Sequence, residues 1–283
     1  MRIRATVAVV SGALALSAFG VPAATADDGR TWTPDFGLSA PEQSNGRMAA
    51  RSVTADDDLK ITKAVVNGGK AIVVGTTAPK KVTVAITATD DSGIADAGTL
   101  LWIGSDLGSD DSFGFEQNED AAKCKAVNAT TSTCTLTVTV DPAWLLNSDT
   151  TTWKVAAAVL SNDGQVVENY AFAKTKLQRL SKITVNAAPE PVKKGKTITV
   201  TGKLSRANWD TATYKGYATQ AVKLQFRKKT STAYTTVKTI KSSSTGALKT
   251  TVKASADGYW RYSFAGTSTT PTVTAAGDFV DVK

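Results

Sequence analysis

Lys81-Val-Thr-Val-Ala-Ile-Thr-Ala-Thr89 decides the fold of this 283-residue chain. Val82, Val84 and Ile86 fall on one side of an extended backbone, with Thr83 and Thr87 on the other. A period of two means one face on a core and one in water. Asp90-Asp-Ser-Gly93 then turns the chain. Upstream, residues 59–66 read as a strand that meets Asn67-Gly68-Gly69, a hairpin signal that predicts pairing with 71–75. Downstream, 99–103 is a further strand. Residues 152–160 and 165–173 predict a hairpin around Asn162-Asp-Gly164, and Asp141-Pro-Ala-Trp reads as a short helical corner with Pro142 in its first turn. Seven or eight short strands separated by turns predict a β-sandwich.

The two cysteines fit this picture. Residues 121–126 and 132–140 read as adjacent strands around the turn 128–131, which sets Cys124 opposite Cys134. That arrangement predicts a cross-strand disulfide rather than a redox pair, which calls for C-x-x-C spacing at a helix N-terminus. The compartment agrees. Arg2 and Arg4, an apolar run over 7–19 and Ala24-Thr25-Ala26 form the three parts of a secretory signal peptide. The expected divisions are a signal peptide over 1–26, a flexible leader over 27–55 rich in Pro, Gly, Ser and Asn, an acidic sandwich over 56–180 and a basic sandwich over 181–283. A second apolar stretch of spanning length is missing from the sequence, so the expected product is secreted and extracellular, with no membrane span.

The second series of strands comprises 182–186, 197–204, 221–227, 234–240, 247–253, 259–264 and 278–282. Three stretches carry a resemblance: Pro191-Val-Lys-Lys-Gly-Lys-Thr-Ile-Thr-Val-Thr-Gly-Lys-Leu204, Val222-Lys-Leu-Gln-Phe-Arg227 and Asp257-Gly-Tyr-Trp-Arg-Tyr-Ser-Phe-Ala-Gly266. Residues 182–283 resemble the immunoglobulin-like modules of secreted proteins from high-GC Gram-positive bacteria. The resemblance implies an immunoglobulin-like sandwich over 182–283; the first block looks similar in kind with weaker motifs, so the expected fold is all-β, two tandem immunoglobulin-like sandwiches. The resemblance likens Asp257 and Tyr259 to the tyrosine-corner region of such modules, and it implies no particular activity.

Function is constrained first by what is missing. The chain has no histidine, which removes the commonest general base and metal ligand and every Ser-His-Asp or Cys-His arrangement. Carboxylate pairs and Ser-Lys pairs remain chemically possible. Neither G-x-S-x-G nor S-x-x-K sits at a strand-to-helix elbow, so no enzymatic activity is expected. The charge is divided. Residues 56–180 carry eleven Lys/Arg against sixteen Asp/Glu, net −5, and residues 181–283 carry seventeen against five, net +12. An exported basic module points to an anionic cell-wall polymer rather than to nucleic acid. Lys193, Lys194, Lys228, Lys229 and Lys241 lie near turns, where they equally suit the guarding of strand edges.

Two candidate sites stand out. The stretch 205–217 reads as a long loop holding Arg206, Trp209, Tyr214 and Tyr217, whose rings and donors suit a glycan or a peptide. Rings that fold back to cap the core are the competing reading. The loop after Trp102 gathers Asp106, Asp110, Asp111, Glu116, Glu119 and Asp120. Hard oxygen donors at that density suit Ca2+, although the spacing is not that of an EF-hand loop; a merely solvated acidic loop has the same composition. The expected role is therefore non-enzymatic binding or structure at the cell envelope, without a required cofactor. Extracellular Ca2+ binding through 106–120 and action as a secreted inhibitor or ligand of a protein partner are the alternatives.

Overall fold

The computed structural model describes Phe36, Leu38 and residues 58–283. The expected signal peptide and nearly all of the expected leader lie outside the described residues. Among the described residues no helix is long and apolar enough to cross a membrane. The strands are β1 (Lys60–Val66), β2 (Ile72–Val74), β3 (Lys80–Thr89), β4 (Ile94–Ile103), β5 (Phe113–Glu116), β6 (Lys123–Ala126), β7 (Thr131–Val140), β8 (Thr152–Ser161) and β9 (Val166–Arg179), followed by β10 (Ser181–Ile183), β11 (Asn186–Ala188), β12 (Thr197–Asn208), β13 (Thr213–Gly216), β14 (Ala221–Lys228), β15 (Thr235–Lys241), β16 (Ala247–Lys253), β17 (Gly258–Phe264), β18 (Val273–Thr274) and β19 (Asp278–Val280). The chain is all-β, and its sheets form two immunoglobulin-like sandwiches.

In the first sandwich the sheet β1-β3-β7-β6 faces the sheet β2-β9-β8-β4-β5. The alternation that predicts β3 holds: Val82, Val84, Ile86 and Ala88 are buried, as are Cys134, Leu136, Val138 and Val140 of β7. Leu101, Val155, Val159 and Leu177 close the core from the opposite sheet. Each such side chain removed from water contributes about 1.5–3 kcal/mol before the ordering entropy is charged against it. Cys124 and Cys134 are directly opposed in the β6–β7 ladder and form the expected disulfide. The expected helical corner is a 3-10 turn, Pro142–Trp144, whose first free amide, that of Ala143, donates to the Asp141 carboxylate at 2.9 Å.

The Asn67-Gly68-Gly69 turn does not make a hairpin. β1 pairs with β3, whereas β2 runs parallel to β9 in the opposite sheet. All three turn residues have left-handed backbone, φ 51, 62 and 77, which suits Asn and Gly. The Asn67 side-chain amide donates to the Lys70 and Ala71 carbonyls at 3.2 and 2.9 Å. The tight turn thus carries the chain across the sandwich instead of back along the same sheet. A turn motif fixes local dihedrals, and the burial of Ile72 and Val74 beside β9 then chooses the partner.

The outer face of β4 and β8 is apolar as well, which is why β8 is buried on both sides. Phe36, only 7% exposed, covers Leu100, Trp102, Ala156 and Ala158 there. Its ring stacks on Tyr170 at 5.7 Å. Gly98 makes the approach possible, since a Cβ at that position would stand 2.7 Å from Phe36 Cβ. The stretch expected to be a flexible leader therefore contributes at least one packed side chain.

In the second sandwich β12 is the hub of one sheet, pairing with β10, β11, β13 and β16, and β15-β14-β17-β18 with β19 forms the other. Ile198, Val200 and Leu204 meet Val222, Leu224, Trp260, Tyr262 and Phe264 between them. The Tyr262 hydroxyl donates to the Val200 carbonyl at 2.9 Å and ties the two sheets. Burial pushes its pKa up to about 12, so the donor stays protonated. The tyrosine likened to a corner, Tyr259, points outward instead and packs on Phe279 at 5.1 Å. Strand parity explains the difference, because Tyr262 shares the buried face with Trp260 and Phe264. Asp257 does act as a corner: its carboxylate accepts the Val282 amide at 2.8 Å.

Candidate functional site

Residues 205–217 do not form a long loop. β12 continues to Asn208, and β13 pairs back onto it from Thr213. This hairpin reaches into the first sandwich. Trp209 is 4% exposed and belongs, with Ala207, to the first sandwich's core. Its indole N–H donates to the Gly75 carbonyl at 2.7 Å, and its backbone amide donates to the Asn147 side-chain oxygen at 3.1 Å. Asn147 closes the contact by donating its backbone amide to Asp210 at 3.0 Å and its side-chain amide to the same carboxylate. Tyr214 packs against the same core with the Lys182 ammonium 3.7 Å above its ring. Arg206 lies 4.0 Å over Tyr217, which meets Phe264 edge-on. The four residues expected to grip a glycan or peptide are thus spread along the seam between the sandwiches, and the Trp209 ring offers no face to solvent.

Arg179 completes the seam. It is buried, and its Nε donates to the Ala207 carbonyl at 2.7 Å while its backbone amide donates to the Thr269 carbonyl at 3.0 Å. Burial, with Arg206 beside it, lowers the guanidinium to about 10, so it remains charged at neutral pH. Beside the seam lies an open groove of about 660 Å3 lined by Lys70, Lys80, Gln178, Thr267 and Thr270 among others. None of its described lining residues is a carboxylate.

The acidic loop after Trp102 is organised around its own donors. Asp111 accepts the Ser105 amide and hydroxyl, each at 2.9 Å, and the Ser109 hydroxyl. Those hydroxyls, Ser109 foremost, hold the Asp111 carboxyl below the usual carboxylate range. Asp106 spends its backbone carbonyl on Ser109, and Glu116 stands exposed on β5. Asp106, Asp110, Asp111 and Glu116 do not gather their oxygens at one point. Among the described residues the only trio of carboxylates that does so is Asp58, Asp90 and Asp91.

The surface that the sequence reading missed is the outer face of β14 and β17. Strand parity puts Lys223, Gln225 and Arg227 of β14 beside Ser263, Arg261 and Tyr259 of β17. Arg227 lies 3.8 Å over the Tyr259 ring, and Arg261 lies 3.6 Å over the Tyr234 ring. Each guanidinium donates to the protein: Arg261 Nε to Gln225 at 2.8 Å, and Arg227 to the Ser231 carbonyl at 2.9 Å. A guanidinium has five N–H donors in a planar fork, so each keeps donors for a carboxylate or phosphate. Lys203, Lys249 and Lys253 are exposed on the opposite sheet of the same sandwich.

Among the described residues, counter-ions to this sandwich are few. Among the described residues the one ion pair is Lys283 with Asp281 at 3.9 Å. Asp210, Asp257 and Asp278 serve as acceptors for Asn147, Val282 and Ala187 instead. Sixteen of the seventeen basic side chains over 181–283 therefore lack a described carboxylate within 4.0 Å.

Residues 70–159, within the first sandwich, match a protein family of unknown function, DUF5707. No curated protein matches the chain. Similar solved structures include the D00-D0 domain of intimin, with 16% identity, a TM-score of 0.26, and coverage of 77% of this chain and 99% of that one. The D0-D1 domain of intimin matches at 16% identity and a TM-score of 0.25 over 78% of this chain and 98% of that one. Red sea bream transglutaminase matches at 10% identity and a TM-score of 0.28 over 80% of this chain and 31% of that one. Likenesses at this level carry no functional assignment.

Proposed function

We propose that the chain is an exported, non-enzymatic binding protein of the cell envelope, and that its basic second sandwich engages an anionic, phosphate-bearing wall polymer. The observation that carries this reading is the set of sixteen basic side chains without described counter-ions on a net +12 unit. Positive charge that is not neutralised internally creates a field felt by a polyanion, and release of the polymer's counter-ions supplies affinity without a deep pocket. The aromatic rings beneath Arg227 and Arg261 hold both guanidiniums in place, which cuts the ordering entropy of a bidentate phosphate contact.

The seam supports the structural half of the reading. A ring from one sandwich buried in the other's core favours a coupled pair that holds the basic face at a fixed angle to the acidic one. The disulfide and the signal-like N-terminus support export. The test is co-sedimentation of the purified protein with purified Gram-positive cell walls across a NaCl series. Binding that falls steeply with salt is expected; binding that ignores salt, or no binding at 50 mM salt, removes the electrostatic reading.

A further inference from the structure

The first sandwich contains a cluster of three carboxylates, two of whose oxygens have no use inside the fold. Asp58 enters β1, and Asp90 and Asp91 form the turn between β3 and β4. One carboxylate oxygen from each lies within 4.8 Å of one from each of the others. Two of the four oxygens of Asp58 and Asp90 are accounted for. Asp58 Oδ2 accepts the Asp91 backbone amide at 3.1 Å, and Asp90 Oδ1 accepts the Ser92 amide at 2.9 Å together with the Ser92 hydroxyl. The other two, Asp58 Oδ1 and Asp90 Oδ2, are buried without any hydrogen-bond partner.

Asp90 is only 2% exposed, and an ionised oxygen buried without a donor is among the costliest groups a fold can hold. Neither a lysine nor an arginine among the described residues comes within ion-pairing range of the three acids. The turn is held firmly around them. The Asp90 amide donates to the Thr130 carbonyl, the Gly93 amide donates to the Asp90 carbonyl, and Asn162 donates to the Ser92 and Gly93 carbonyls. Asp91 is exposed, which leaves an entry path from solvent.

We propose that Asp58, Asp90 and Asp91 bind one divalent cation of the Ca2+ class, with the two orphaned oxygens as inner ligands and Asp91 closing the site from solvent. Ca2+ takes six to eight oxygens in flexible geometry, so three carboxylates leave positions for water. The small cluster, open on one side, suits the weak affinity of extracellular modules, Kd about 10⁻⁴–10⁻³ M. The ion clamps the start of β1 to the β3–β4 turn. This inference does not depend on the wall-binding reading, because the two sites lie on different sandwiches.

The test is calorimetric titration of the chelator-treated full mature chain with CaCl2, paired with thermal melts with and without 5–10 mM Ca2+ (about ten times the upper Kd above). One Ca2+ per chain and a higher melting temperature are expected. Asp91→Asn, which alters an exposed side chain, should weaken binding by about tenfold or more. Asp90→Asn, which keeps an acceptor for Ser92, should weaken it further, and Asp111→Asn should leave it unchanged. Heat and melting temperature that do not respond to Ca2+ would overturn the proposal. So would binding that survives Asp91→Asn and Asp90→Asn, or tighter binding of Mg2+ than of Ca2+.

Discussion

The Trp209 indole N–H donates to the Gly75 carbonyl at 2.7 Å, a hydrogen bond spanning 134 residues of sequence and joining the two sandwiches. The ring that makes it is buried, together with Ala207 at the end of β12, in the core of the first sandwich. Coupling between the sandwiches therefore centres on Trp209, with Tyr214 packed against the same core and the Asn147–Asp210 contact and Arg179 alongside.

Replacing Trp209 with Ala should cost about 3–5 kcal/mol, from the cavity and the unpartnered Gly75 carbonyl. In scanning calorimetry the single melting transition expected of the coupled pair should split into two. A variant that melts at the wild-type temperature in one step would show that the seam contributes little.

Tyr262→Phe removes the donor to the buried Val200 carbonyl and nothing else of similar size. The expected loss is about 1–3 kcal/mol, read as a lower denaturant midpoint at constant slope. Tyr259→Phe, whose ring lies outside the core, should be close to neutral by the same measurement.

The Cys124–Cys134 bridge closes a short loop between β6 and β7. Changing both residues to Ser should lower stability by about 2–3 kcal/mol, a shift of roughly 5–10 °C for a chain of this size. Thiol titration of the unreduced, unfolded wild type should find none.

How much of this was legible in the chain can be argued from these residues. Val82, Val84 and Ile86 announce β3 because one face of the strand is wet, and the cysteine pair announces its register because a disulfide permits few geometries. Asn67-Gly68-Gly69 misleads because a turn signal is silent about which sheet the next strand joins. β4 begins at Ile94, earlier than expected, because Ala97 and Gly98 carry no alternation; their small size is explained only by the docking of Phe36. Trp209 and Tyr214 are visible as unusual, yet their partner surface is assembled from residues 75 and 147, far away in sequence. The Arg227–Tyr259 and Arg261–Tyr234 contacts were hidden because alternating polar residues on β14 and β17 look like any solvent face until the strands are paired. The carboxylate trio was hidden for the same reason: Asp58 meets Asp90 and Asp91 only through the β1–β3 ladder.

Without a divalent cation, Asp91 destabilises the fold at neutral pH. Its folded pKa is raised, so its favourable share is present below the ordinary carboxylate pKa of 3.8 and is lost as pH rises through the higher folded value. Asp91→Asn should therefore melt above the wild type at pH 7 in chelator, and the difference should vanish towards pH 3–4, about the carboxylate pKa. An equal difference at both pH values would place the effect elsewhere than in this charge.

The central claim is that unneutralised charge on the second sandwich binds a polyanion, and titration of a purified polyphosphodiester wall polymer against salt tests it most directly. For the wild type, the logarithm of the association constant should fall linearly with the logarithm of salt concentration, and Arg227→Gln with Arg261→Gln should reduce both the affinity and the slope, by about one to two phosphate contacts, without lowering the melting temperature appreciably. An affinity that is flat in salt, or a double variant indistinguishable from the wild type, would contradict the account.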